Sequence, residues 1–214
     1  MAVYDLEEQE QLSALKAWWG KYGNIISTGA TVVAIGVIAW TAWSRYQGSQ
    51  SENASVLYAE AFRAAQANDV PKLQQLANQL TKDYPGHLQA SLATLLSARA
   101  DVDKNDGKAA RVKLEWITAN SKDPLIKDVA RLRLAAVLLD DKLLDEALTQ
   151  ANAGTTTEYA GRFAEMRGDV LIEQGKTDDA KAAYKQALEK YSNGGEYASL
   201  KNVVQTKLEA LGGN

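Results

Sequence analysis

The chain has 214 residues, and its 24 Lys and Arg residues nearly balance its 27 Asp and Glu residues, giving a net charge of −3 at pH 7. It therefore lacks the basic excess that indicates a nucleic-acid-binding protein, and we expect no nucleic-acid partner. The absence of cysteine excludes a disulfide framework, a thiolate metal site and a cysteine nucleophile.

Residues 1–23 begin with several acidic side chains and then carry apolar residues at helical spacing. Leu12, Leu15, Trp19 and Tyr22 fall on one face of such a helix. This segment is either a short interfacial helix that touches a partner or a solvated tail anchored by its tryptophans. We favour the tail, because so short an isolated helix is only marginally stable in water.

Residues 24–44 are predicted to form a transmembrane helix. Asn24–Trp43 contains no charged residue, and about twenty helical residues span the roughly 30 Å hydrocarbon core of a bilayer. Aromatic residues that suit the two membrane interfaces flank the segment, namely Trp18, Trp19, Tyr22, Trp40, Trp43 and Tyr46. The alternatives are a cleaved signal peptide and a buried helix of a soluble domain. The flanking aromatic residues favour a membrane helix over a buried one. The signal peptide is less favoured because the apolar segment is longer than the roughly 7–15 residues of a signal sequence and follows an acidic start.

The orientation of this helix follows from the basic residues at its ends. Lys16 and Lys21 precede it and Arg45 follows it, so the positive-inside rule predicts a cytoplasmic N-terminus by a margin of two to one. Small side chains within the segment allow another membrane helix to approach closely. These candidate packing residues are Gly29, Ala30, Ala34 and Gly36.

Residues 45–53 are predicted to be a polar linker, and residues 54–214 an all-helical domain. Asp69 with Pro71, and Asp123 with Pro124, have the pattern of helix N-termini. Helix ends are predicted at Tyr84–Gly86, Gly175–Thr177 and Asn193–Gly195. The pattern indicates about nine helices, the last at Glu196–Leu211.

The predicted helices repeat at a nearly constant interval. Ala65, Ala98, Ala135 and Gly168 are separated by 33, 37 and 33 residues. A second set follows each of them by twelve residues, at Ala77, Ala110, Ala147 and Ala180. A period near 34 indicates helix–turn–helix repeats, which bury their apolar faces by stacking on their neighbours.

The clearest copy of the repeat, Ala164–Tyr191, resembles the tetratricopeptide repeat (TPR). The matching small and aromatic positions are Gly168, Gly175, Ala180, Tyr184 and Ala187. The fold class predicted is therefore all-α, with one N-terminal transmembrane helix followed by a TPR-like solenoid. The last helix would cap the solenoid.

No set of residues in the sequence suggests catalysis, and we predict neither an enzyme nor a cofactor or metal site. His87 is the single histidine. The acidic pairs Asp178–Asp179 and Asp140–Asp141 fit a first helical turn and a helix end better than a catalytic dyad. Gly194–Gly195 lacks the strand and helix that a phosphate-binding loop requires.

A concave binding face is the functional surface that TPR geometry predicts. The family's lining positions correspond here to Phe62, Leu92, Leu95, Arg99, Leu132, Leu139, Arg162, Glu165 and Ile172. This lining would suit an unfolded or apolar peptide. The alternative is that these side chains belong to the core, and we favour it, because Val129–Leu139 is apolar on most faces.

The layout of the whole chain resembles the YfgM-like family, the ancillary subunits of the SecYEG translocon in Gram-negative bacteria. The resemblance rests on the order of four segments, which are MAVYDLEEQEQLSALKAWW, AWSRYQ, VDKNDGKAA and MRGDVLIEQGKTDDAKAAY. It implies a single-pass type II protein of the inner membrane with a periplasmic C-terminal domain. It also implies association with SecYEG and with a membrane-anchored periplasmic chaperone of the prolyl-isomerase type.

The function that the resemblance implies is the transfer of exported chains from the translocon to periplasmic chaperones. Whether unfolded exported chains bind the domain directly is left open by the sequence. A second hypothesis is a membrane-tethered TPR adaptor of another envelope or cell-division complex. A third, with the opposite topology, is regulation of a cytoplasmic partner.

Overall fold

The computed structural model describes residues 3–191 and 198–212, with the side chains of residues 3–7 and 47 left aside. Within these residues the chain is all-α, as predicted, with nine α-helices and no strand. The helices are α1 Val3–Gln66, α2 Val70–Asp83, α3 Leu88–Asp103, α4 Gly107–Asn120, α5 Pro124–Asp140, α6 Leu144–Asn152, α7 Ala160–Glu173, α8 Thr177–Lys190 and α9 Ala198–Ala210.

The chain divides into two units between Ser51 and Glu52, although α1 runs through this point. Residues 45–53, predicted to be a linker, are therefore helical. They contain no proline, and Ser, Gln and Glu are all tolerated in a helix. The predicted domain boundaries themselves remain predictions.

The first unit consists of most of α1, which is the one helix in the described part of the chain that is long and apolar enough to cross a membrane. Its apolar side chains are unusually open to solvent, with Ile25 71% and Trp40 73% exposed. A Cβ atom added at Gly29 or Gly36 would meet no atom within 4 Å beyond the backbone of the helix itself. Within the described residues, the apolar side chains of this unit are thus largely exposed.

The second unit is a stack of four helical hairpins followed by α9. The hairpins pair α3 with α4, α5 with α6, and α7 with α8, and the last turns of α1 share a core cluster with α2. At each hairpin turn one residue has a left-handed backbone, and these residues are Asn68, Asn105, Lys142 and Gly175. Each turn residue donates its N–H to a carbonyl three residues earlier, and the next N–H bonds a carbonyl five residues earlier. This geometry satisfies the last carbonyls of the first helix in each hairpin.

These turn residues fix the true register of the repeat, which differs from the predicted one in the first copy. They are 37, 37 and 33 residues apart, so the position equivalent to Ala98, Ala135 and Gly168 is Ala61. Ala61 is fully buried, whereas the predicted Ala65 is only partly buried. Correspondingly, the second-helix position is Leu73 and not Ala77. The error is four residues, about one helical turn, so both choices lie on nearly the same face.

The predicted helix caps that fall in the described residues are confirmed. Asp69 accepts a hydrogen bond from the backbone N–H of Lys72 (3.2 Å), and Asp123 accepts from that of Leu125 (2.8 Å). Helix α2 ends directly before Tyr84. The predicted end at Asn193–Gly195 and the predicted start of the last helix at Glu196 lie outside the described residues.

Three apolar clusters form the core, one after another along the stack. The first lies around Leu73 and Leu80, the second around Leu114 and Leu134, and the third around Tyr184. Trp116 packs against both of the first two clusters. The core is therefore continuous from the first hairpin to the third, as stacked repeats require.

Candidate binding groove

The first helices of the four hairpins, here called the inner helices, are residues 52–66 of α1, then α3, α5 and α7. Two cavities open between them. The first cavity, of about 280 Å³, lies between α1 and α3. The second, of about 300 Å³, lies between α3 and α5. We call the two together the groove.

Most of the groove lining is apolar, and one arginine belongs to both cavities. In the first cavity Phe62 and Leu96 supply apolar surface. The second cavity is lined by Ala98, Arg99, Val102, Leu114, Arg133, Ala136, Val137 and Asp140. Arg99 lines both cavities, so the two are adjacent sites along one surface.

The residues predicted for the concave face fall into four groups. Phe62 and Arg99 are exposed and line the groove. Leu95 is buried in the second core cluster. The remaining apolar members are partly buried, and those packed on a core cluster are Leu92, Leu139 and Ile172. Leu132 is partly buried as well. For Leu95, Leu92, Leu139 and Ile172, packing in the core accounts for their position.

The last group, Arg162 and Glu165, points toward the capping helix α9. Glu165 is 7% exposed and accepts hydrogen bonds from Lys207 Nζ (3.0 Å) and from the Tyr191 hydroxyl (3.3 Å). Arg162 lies 3.4 Å from the same carboxylate. Because its oxygens already have these partners, Glu165 is held in a structural contact.

Lys207 joins a second carboxylate, and together these residues form a polar cluster between α7, α8 and α9. Its ammonium lies 2.7 Å from Asp169, which also accepts a hydrogen bond from the Tyr184 hydroxyl (2.8 Å). Burial lowers the pKa of Lys207, but the hydrogen bonds to Asp169 and Glu165 outweigh it and raise the pKa. Burial raises the pKa of Tyr184, and the bond to Asp169 adds to this effect.

Two arginines face the second cavity with few partners. Arg133 Nη1 donates one long hydrogen bond, 3.5 Å, to the Leu95 carbonyl. The protein atoms packed around its guanidinium lower the pKa of Arg133, and the positive charge of Arg99 lowers it further. The cavity therefore combines apolar walls with cationic hydrogen-bond donors, which suits an anionic group attached to an apolar one.

Two buried acids that the sequence did not single out have structural roles. Asp128 is fully buried and accepts hydrogen bonds from the backbone N–H groups of Thr155 (3.0 Å) and Thr156 (2.8 Å). Asp101 contacts Lys113 of α4 and accepts from the Gln74 amide of α2 (2.8 Å). These contacts hold a loop and neighbouring helices in place.

His87 is the N-cap residue of α3 and packs edge-on against Tyr84, with ring centroids 5.7 Å apart. In the described part of the chain, no group of three or more His, Asp or Glu residues could hold a metal ion.

Comparison with known proteins agrees with this architecture along most of the chain. Residues 16–213 match a family described as "Tetratricopeptide repeat-like domain". A Neisseria gonorrhoeae protein named "Ancillary SecYEG translocon subunit" is 32% identical over 208 residues, 96% of this chain and 98% of its own length. This chain belongs to the ancillary SecYEG translocon subunit family.

Other members of the family are similar over comparable lengths. The Aggregatibacter actinomycetemcomitans protein of the same name is 29% identical over 98% of this chain and 100% of its own length. The Escherichia coli (strain K12) protein is 27% identical over 86% of this chain and 88% of its own length. The similarity covers both the apolar helix and the hairpin domain.

Proposed function

We propose that this chain is an ancillary subunit of the SecYEG translocon, acting as a membrane-tethered scaffold. The observation that carries the proposal is its similarity, over 96% of its length, to a relative named for this role. A TPR-like stack supports it, because such stacks present extended surfaces for protein partners.

The proposed location is the inner membrane, with the N-terminus in the cytoplasm and the hairpin domain in the periplasm. The exposed apolar surface of α1 supports membrane insertion. Lys16 and Lys21 before the apolar segment, against Arg45 after it, support this orientation. In this arrangement residues 24–44 cross the bilayer, and Gly29 and Gly36 are available for packing against another membrane helix.

The proposed task is non-enzymatic. The domain receives exported chains beside the channel and links them to periplasmic chaperones, among them a membrane-anchored chaperone of the prolyl-isomerase type. The groove supports this task, because it offers apolar surface on inner helices and its exposed members, Phe62 and Arg99, are not required by the core.

A mild-detergent pull-down tests the proposal. We would compare three proteins. The first is the full chain, the second is a truncated chain of residues 51–214, and the third is a full-length chain in which an unrelated membrane helix replaces residues 24–44. Membrane tethering raises the local concentration of every weaker contact, so the full chain is expected to retain SecYEG and the truncated chain to lose it. The variant with the replaced helix is still tethered to the membrane but lacks the original helix surface. Its recovery of SecYEG therefore distinguishes tethering alone from specific helix packing. Recovery of another envelope or cell-division complex without SecYEG would overturn the proposal.

A further inference from the structure

The second cavity holds more positive charge than its surroundings neutralise. In the part of the chain that the structure describes, neither the hydrogen-bond partner of Arg133 nor the charged groups that act on it include a carboxylate. Arg99 lies 3.8 Å from Asp103, but their side chains are 73% and 66% exposed. Such an exposed pair contributes little and breaks easily. Both guanidinium groups are therefore available to a ligand.

The apolar walls lie on both sides of Arg99. Phe62, 43% exposed, and Leu96 line the first cavity. Val102, also 43% exposed, lines the second with Ala136. A ligand that lies across the inner helices would place one apolar group in each cavity. The part of the ligand between these two groups would pass over Arg99.

The spacing of packed helices sets the spacing of such a ligand. Neighbouring helices lie about 8–10 Å apart. An extended backbone of the polyproline II type advances about 3.1 Å per residue and has three residues per turn, so side chains three positions apart face the same side. Adjacent cavities between successive inner helices are thus about three residues apart along an extended peptide. Each cavity, at 280–300 Å³, has the size of a small binding pocket.

We propose that the groove binds an extended segment of an exported chain that carries two apolar side chains three positions apart with one acidic side chain between them. The carboxylate bonds Arg99 and Arg133, and the apolar side chains enter the two cavities. Asp140 also lines the second cavity, so a single carboxylate fits this site better than a run of acids. The inference rests on the proposed function, in that exported chains contact the domain.

The experiment uses the full chain in lipid nanodiscs and measures fluorescence anisotropy with labelled peptides. The probe contains Leu-Asp-Ser-Leu between Gly-Ser flanks. One matched peptide has Asn for Asp, and another shortens the apolar spacing to Leu-Asp-Leu. We expect the probe to bind about tenfold more tightly than the Asn peptide, the effect of one charge-assisted hydrogen bond. The shortened peptide is also expected to bind more weakly.

Variants assign the binding to the groove. Arg133→Gln and Arg99→Gln are expected to remove the preference for Asp over Asn, whereas Arg133→Lys retains part of it. Arg63→Gln is the matched control, because Arg63 is exposed on an inner helix but lines a different cavity. Ala136→Leu fills the second cavity and is expected to weaken binding of the probe and the Asn peptide alike. Circular dichroism confirms that each variant is folded.

Equal affinity for the Asp and Asn peptides overturns the role of the arginines. Unchanged affinity in Ala136→Leu overturns the site, and absence of peptide binding overturns the proposal altogether. Because this assay contains no translocon, these failures are distinct from a failed SecYEG pull-down, which would instead overturn the proposed function.

Discussion

Gly168 is one of the glycines of the stack that cannot accept a larger side chain without displacing a neighbour. A Cβ atom added there would lie 2.3 Å from Cε1 and 2.5 Å from Cδ1 of Tyr184. The ring cannot withdraw freely, because it is 3% exposed and its hydroxyl donates a 2.8 Å hydrogen bond to Asp169. Gly168→Ala therefore forces the α7–α8 hairpin apart or breaks that bond.

Three effects set the change in the free energy of unfolding, two of them destabilising and one stabilising. Overpacking costs about 1–3 kcal/mol, and loss of the tyrosine hydrogen bond costs about 1 kcal/mol. Alanine regains about 1 kcal/mol of helix propensity relative to glycine. We expect Gly168→Ala to lower the free energy of unfolding by about 1–3 kcal/mol.

Urea unfolding of the detergent-solubilised full chain, followed by circular dichroism at 222 nm, measures this change. Gly107→Ala is the matched control, since a Cβ there would meet Asp141 and Val137 at ordinary distances of 3.5–3.7 Å. Tyr184→Leu should also reduce the cost of Gly168→Ala in a double-mutant cycle. The reasoning is refuted if Gly168→Ala is as stable as the wild type, or if its cost is unchanged when the ring is removed.

Two further predictions concern the buried acid and a hairpin turn. Asp128→Asn is expected to lower the free energy of unfolding by about 2–3 kcal/mol at neutral pH, because it places an amide against backbone donors. Burial raises the pKa of Asp128, but the hydrogen bonds from Thr155 and Thr156 outweigh it and lower the pKa. The stabilisation is thus present above the unfolded pKa of about 3.9 and lost as pH falls through the folded value. Gly175→Ala is expected to lower the free energy of unfolding by about 1 kcal/mol. The φ angle there is +75°, which is unfavourable for a residue with a Cβ atom, and no atom crowds the site.

Each of these predictions has its own control. In urea titrations from pH 7 to pH 3, the difference between wild type and Asp128→Asn should begin to narrow below about pH 4, and a constant difference would contradict the ionic origin. Gly175→Asn should cost less than Gly175→Ala, because asparagine enters the left-handed region more readily. Equal losses for the two substitutions would show that backbone strain is not the cause.

Local sequence signals predicted the parts of the fold that depend on local contacts. Asp69 and Asp123 cap helices as expected, since a cap bonds a backbone group two or three residues away. The left-handed turns at Asn105 and Lys142 were missed, because neither residue is the glycine that marks such turns. The shifted first repeat arose because several alanines occupy neighbouring turns of one helix.

The candidate site was less predictable, because its contacts join distant parts of the chain. Glu165 was assigned to a binding face because the sequence did not indicate its contact with Lys207. That lysine lies 42 residues later and bonds the Glu165 carboxylate. Arg133 was not selected from the sequence, although it faces the same cavity as the predicted Arg99. A repeat pattern places helices in order, but the pairing of charges between their faces depends on the packed structure.

The polar cluster on α7 also determines how the stack ends. Helix α9 packs beside α8, and Lys207 of α9 bonds Asp169 and Glu165 of α7. A hairpin end with an open apolar face could receive the first hairpin of another copy, and such head-to-tail contacts build filaments. Such a contact would displace α9 and bury the carboxylates of Glu165 and Asp169 without Lys207. Desolvating these two unpaired charges has a high free-energy cost. The cluster thus holds α9 over the last hairpin, and the cost of breaking its ion pairs opposes end-to-end contact between copies.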